Sequence, residues 1–379
     1  MTKEKEQRKA GVIGLTVTGL AWGAVLAHQG VPVLATDMDE EVVVSCEEGE
    51  WPGQEPGLAQ LAGRMIDDGD LELCANTRRV IRECPVIFVT CMVPPDANDR
   101  PGLRFVEAIV RLVAAQALEN RVLVIKAAVS PGSTRQLQKI VDATLTERED
   151  SAPAVQVLTM PEGFDDGRML AAMEQDGALV LGCDGTVPEA VWEVVHQLPR
   201  WQNRLITCTT VEAEQAVFIN SGLMAAEQSY LETVAGLCAG TGTRFDRISQ
   251  ILTKQKKIRH QLLAERGAGV GIGGARLPRE RRELEVLLKE NGQGAGEFAG
   301  ITQNHPAACV QWLSEILKTF SSPTVAVLGL SPSPGTDDLR ETPAVDILKQ
   351  LAAPMAEAAP DGSGCFKLYV PWGMDQVKW

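Results

Sequence analysis

Residues 11–37 read GVIGLTVTGLAWGAVLAHQGVPVLATD, and this stretch decides the fold. A short apolar run over residues 10–16 predicts a strand. A helical pattern from about Leu20 to Gln29 follows, then Gly30, then a second apolar run from Val31 to Thr36 that ends at Asp37. Strand, tight turn, helix and strand in that order form a β-α-β unit.

The turn carries Gly14-x-Thr16-x-x-Gly19. A dinucleotide site needs such a turn, a close backbone approach to the pyrophosphate and a helix N-terminus facing it. It also needs an acid about 20 residues further on for the ribose hydroxyls, which Asp37 supplies. An acid there favours NAD over NADP. Thr16 stands where the pattern has its middle glycine, and its β-carbon crowds the pyrophosphate. Two readings stand: a NAD site, or a structural turn without nucleotide.

Further strand-like runs follow at 86–90 (VIFVT), 122–125 (VLVI), 155–158 (VQVL) and 178–181 (ALVL), with helical segments between most of them. Alternation of this kind predicts an α/β fold with a Rossmann-like, doubly wound parallel sheet over residues 1–205. The stretch 213–240, AEQAVFINSGLMAAEQSYLETVAGLCAG, predicts one long helix of good helix formers. It suits a connector and dimer interface, assigned to 206–318, with an apolar face around Phe218, Leu223, Leu231 and Leu237 and with Tyr230 in the core. A strand at 325–328 (VAVL) opens a second, truncated Rossmann-like unit over 319–379, which ends with the strand FKLYV.

The net charge of -14 argues against nucleic acid and anionic membrane as partners. No run approaches the ~20 apolar residues of a membrane span. The polar first ten residues are no secretory signal, so a cytoplasmic location is expected. Nine cysteines show no C-x-x-C spacing, and four histidines show no ligand spacing. Reduced thiols and no metal are expected.

The motifs together resemble the UDP-glucose/GDP-mannose dehydrogenase family. Residues 12–39 look like the family's opening. Glu55-Pro56-Gly57-Leu58 is similar to its E-P-G-L segment, and VSPGST (129–134) to V-P-x-G-T-T. MPEGFDDG (160–167) resembles N-P-E-F-L-x-E-G. GVGIGGARLPRE (269–280) resembles G-x-G-F-G-G-S-C-F-P-K-D. VLGLSPSPGTDDLRETP (327–343) resembles the opening of the C-terminal domain. The matches run in order through nearly the whole chain.

The resemblance implies NAD, a homodimer through the 211–240 helix, and oxidation of a primary alcohol to a carboxylate. That reaction needs a cysteine to carry a thioester, with a lysine, an asparagine and an aspartate around it. At those positions this chain has Arg276, Val217, Ser221 and Glu280. Asp166 replaces a glutamate, Ala128 and Val93 replace threonines near the cofactor, and Ser333 replaces a nucleotide-contacting lysine. A guanidinium stays protonated and is no nucleophile.

Asp166, Glu162, Arg276 and His260 are therefore the catalytic candidates. Gly14, Thr16, Val17, Gly19, Asp37, Val93 and Ala128 are the cofactor candidates. Arg259, Gly273, Gly274 and Arg276 are the candidates for a small-molecule substrate. Arg276 either binds an anion or pairs with Asp166 or Glu280, and the loop glycines either admit a ligand or only keep a turn. Lys126 is a further candidate beside Ala128. The expected function is a repurposed biosynthetic enzyme using the dehydrogenase cleft, by hydride transfer or by non-redox chemistry. The alternatives are a binding or scaffold protein, and an ordinary UDP-sugar dehydrogenase.

Overall fold

The structure, a computed structural model, describes residues 9–148, 153–161, 167–174, 179–198, 204–254, 271–301 and 305–370. Two compact units are present, Met1–Phe218 and Ile219–Trp379.

The first unit is built on an eight-stranded sheet: β1 (Ala10–Ile13), β2 (Val33–Thr36), β3 (Leu71–Leu73), β4 (Val86–Val89), β5 (Arg121–Ile125), β6 (Val155–Thr159), β7 (Leu179–Gly182) and β8 (Leu205–Cys208). Their spatial order is β3-β2-β1-β4-β5-β6-β7-β8. The first six strands follow the doubly wound order of dinucleotide-binding sheets. All neighbouring pairs are parallel except β6 and β7, which meet antiparallel at Thr159 and Gly182. The sheet is thus mostly parallel, not wholly so as expected.

The central strands are buried throughout, which is why they read as continuous Val/Ile/Leu runs. One core layer, on the Trp22 side, is closed by the helix Val17–His28. The other, around Ile87, Leu123 and Val141, is closed by helices Arg104–Gln116 and Ser133–Thr146. Lys126 is buried in this unit with its ammonium 3.6 Å from the Trp22 ring centre.

The helix Thr210–Thr241 follows β8. Phe218 and Leu231 are buried, whereas Leu223 and Leu237 are exposed together with Ile219 and Tyr230. This corrects the expected apolar face and moves Tyr230 out of the core. The outward stripe is Ile219, Leu223, Tyr230 and Leu237, a helical face spaced by four and seven residues.

In the second unit, helix Leu277–Glu290 packs on this helix at Gly222. A Cβ there would lie 2.1 Å from Leu284 Cδ2, so the glycine leaves room for that leucine against the helix. Strands β9 (Thr324–Leu328) and β10 (Cys365–Tyr369) form a parallel pair. Helices His305–Leu317 and Pro343–Ala358 cover one face of it through Leu317, Leu351 and Met355.

Candidate functional site

The first site lies at the carboxyl ends of β1, β2 and β4, where doubly wound sheets hold their ligands. Gly14 has φ 114°, and a Cβ on it would meet Cys91 N at 2.5 Å. Gly19 lies so close to β1 that a Cβ would meet Gly14 O at 1.9 Å. Both glycines are demanded by the turn. Asp37, one residue past β2, accepts from Leu15 N at 2.7 Å and from Asp39 N at 3.0 Å. These bonds fix the carboxylate beside the turn while leaving lone pairs for ribose hydroxyls.

Thr16 caps the helix Val17–His28. Its hydroxyl accepts from Gly19 N at 3.1 Å and donates to Thr90 O at 2.9 Å. Thr90, which the sequence reading passed over, donates from its hydroxyl to Gly14 O at 2.6 Å. Its place as the last, polar residue of VIFVT was the available signal. Val93 and Ala128, in the segments following β4 and β5, are both buried. The fold therefore brings together Gly14, Thr16, Val17, Gly19 and Asp37. Burial, and after it Asp37, pushes the thiol of Cys91 beside this turn up to about 12.

Two buried carboxylates hold the surrounding loops. Glu214 accepts from Gly132 N at 2.6 Å and Thr134 N at 2.7 Å, fixing the start of the helix after β5. Glu55 accepts from Gly167 N and Met169 N, each at 2.7 Å, and thereby anchors the far end of the 160–167 segment. Glu162, Asp166, Arg259 and His260 lie outside the described residues.

The second site is in the second unit. Arg276 Nη1 donates to Glu280 Oε2 at 2.8 Å and contacts Ser221 Oγ at 3.4 Å. Ser221 donates to the same Glu280 oxygen. Ser221 and Glu280 are fully buried, and the Arg276 side chain is 15 % exposed. Burial raises the Glu280 pKa, against the lowering pull of Arg276 and of the Ser221 hydrogen bond. Of the pairings open to Arg276 in the sequence, the one with Glu280 is formed, and Asp166 lies outside the described residues. That pair lies within one helix, four residues apart; Ser221 joins it from the helix Thr210–Thr241, which approaches closely at the neighbouring Gly222.

The glycine loop before Arg276 is bound by the protein itself. Gly271 N donates to Glu232 Oε1 at 2.9 Å, Gly274 N to Arg340 O at 2.9 Å and Ala275 N to Asp338 Oδ2 at 3.0 Å. A Cβ on Gly273 would meet Pro343 at 2.8 Å and Glu341 O at 3.0 Å, so this glycine serves packing. Ser333 sits in a turn in which its N–H donates to Ser331 Oγ and its carbonyl accepts from the same hydroxyl. Cys309 packs beside Val310 and Leu313 in the C-terminal core. Its thiol is pushed up by burial.

Residues 8–198 match the model of the UDP-glucose/GDP-mannose dehydrogenase family, NAD binding domain. The chain belongs to the UDP-glucose/GDP-mannose dehydrogenase family. It is similar to UDP-glucose 6-dehydrogenase TuaD of Bacillus subtilis, at 25% identity over 347 residues that cover 91% of this chain and 73% of that protein. The UDP-glucose 6-dehydrogenase of Pseudomonas aeruginosa is 26% identical over 345 residues, 90% of this chain and 75% of that one. In fold it resembles a UDP-glucose dehydrogenase from the archaeon Pyrobaculum islandicum, with a TM-score of 0.84 over 99% of this chain and 84% of that chain, at 22% identity.

The cofactor of the family's N-terminal domain is NAD, and the residues present fit it: the two obligatory glycines, the helix N-terminus at Val17 and the anchored Asp37. No helix among the described residues is long and apolar enough to cross a membrane.

Proposed function

We propose that this family member binds NAD and acts on a small-molecule alcohol or its carbonyl counterpart, without the thioester stage that takes UDP-sugars to carboxylates. The observation that carries this reading is the Arg276–Glu280–Ser221 contact at the positions matching the family's cysteine, aspartate and asparagine. A thioester needs a thiolate. Arg276 offers only protonated N–H groups, already directed at a carboxylate.

NAD, when bound, supplies one hydride acceptor. The protein's part is to hold the ribose at Asp37 and to fix the loops through Glu214 and Glu55. Glu162, Asp166 and His260 are the proposed acid–base groups, with Arg259, Gly274 and Arg276 toward the substrate. In this reading the helical connector 206–318 carries dimerisation. The exposed stripe Ile219, Leu223, Tyr230 and Leu237 is the support for a homodimer.

A second reading, a binding or scaffold protein, is favoured by the glycine loop, whose amides at Gly271, Gly274 and Ala275 are bound to the protein itself.

Calorimetric titration with NAD⁺ and NADH, with Asp37→Ala as control, separates the two. Micromolar binding that the variant loses supports the enzyme. No binding at millimolar cofactor removes the redox reading and leaves the scaffold.

A further inference from the structure

We infer that Thr16 sets how tightly this chain holds its dinucleotide, by closing the pyrophosphate end of the site with its own side chain. The inference rests on the NAD assignment. In the G-x-G-x-x-G turn the middle position is bare, so that the diphosphate comes up against backbone amides at the head of the helix.

Here the position is filled and the filling is fastened. The Thr16 hydroxyl donates to Thr90 O at 2.9 Å and accepts from Gly19 N at 3.1 Å. Gly19 N–H is a first-turn donor of the kind a diphosphate uses, and it is already satisfied. The side chain cannot swing aside cheaply. Threonine is stiff at χ1, and its hydroxyl bonds on both sides. Thr90 in turn is tied to Gly14 O at 2.6 Å, and Gly19 is packed against that same carbonyl.

A diphosphate approaching this turn therefore meets the β-carbon substituents of Thr16 and finds one amide fewer. The adenosine end is unaffected. Asp37 is held by Leu15 N and Asp39 N and keeps lone pairs for the ribose. The chain recognises the dinucleotide chiefly through its adenosine half. NAD then exchanges as a co-substrate and is not retained as a fixed group.

The test is binding to the full chain of NAD⁺ and ADP-ribose by calorimetry and of adenosine by ligand-observed NMR. Thr16→Gly removes the side chain at little cost to the cap, and Thr16→Ser removes only the methyl. The expected result is NAD⁺ and ADP-ribose affinity raised about tenfold in Thr16→Gly and by a smaller factor in Thr16→Ser. Adenosine stays within about twofold throughout, which also shows each variant folded. If Thr16→Gly fails to bind adenosine, Thr16→Ser decides alone. Unchanged or weaker NAD⁺ and ADP-ribose binding in the folded variants overturns the inference while leaving the NAD assignment standing. A wild-type chain that binds none of the three ligands overturns both.

Discussion

Arg276 and Glu280 form an ion pair of 2.8 Å across the first turn of helix Leu277–Glu290, with the carboxylate fully buried. Such a pair is held by mutual need. Removing one partner strands a buried charge at a cost of about 3–5 kcal/mol, whereas replacing both is tolerated.

Arg276→Ala is thus expected to destabilise the chain strongly, and Arg276→Ala with Glu280→Gln to recover most of the loss. The pH dependence has a defined sign. Burial raises the folded pKa of Glu280, so its contribution is complete below the ordinary carboxylate value and is lost as pH rises through the folded pKa. Arg276→Ala removes the opposing pull and enlarges that loss. Urea denaturation at pH about 5 and at neutral pH reads the difference, which should be larger at neutral pH and vanish in the double variant.

Glu214 makes a second, independent prediction. It spends its two oxygens on Gly132 N and Thr134 N at 2.6 and 2.7 Å, with no exposure to solvent. Glu214→Ala leaves both amides without this partner and should cost about 3 kcal/mol. Glu214→Gln keeps one acceptor and should cost less. Chemical denaturation of the two variants checks the order.

The outward stripe of the helix Thr210–Thr241 predicts the oligomeric state. Ile219, Leu223, Tyr230 and Leu237 are each more than half exposed. Light scattering should give a dimer for the wild type and a monomer for Leu223→Glu. A monomeric wild type would remove the dimer from the account.

The first unit was legible in the sequence wherever burial was complete. β1, β2, β4, β5 and β6 announce themselves because both faces are covered and most positions are apolar. β3 and β8 were missed for the opposite reason. Leu71–Leu73 and Leu205–Cys208 are short strands at the sheet's two ends, with mixed burial and no continuous apolar run. The direction of β7 was also unreadable, since the pattern of a strand carries no sign of its polarity.

The long helix was plain from composition, but not which of its apolar residues face inward. Phe218 and Leu231 do, and Leu223 and Leu237 do not, and composition carries no sign of that direction because all four are equally apolar. At the cofactor turn, sequence placed Gly14, Gly19 and Asp37 and flagged Thr16. It could not show that Thr16 bonds Thr90, 74 residues away. At the second site the Arg276–Glu280 pairing was readable from their four-residue spacing, whereas Ser221 joins them only through the helix crossing near Gly222.

The most direct test of the central claim is incubation of the purified chain with UDP-glucose and excess NAD⁺, following NADH by absorbance and the sugar by mass spectrometry. On the proposed reading, which sets Arg276 at the position of the family's thiol, no UDP-glucuronate should form, even at cofactor concentrations that saturate binding. Formation of the carboxylate with two NADH per sugar would contradict the account.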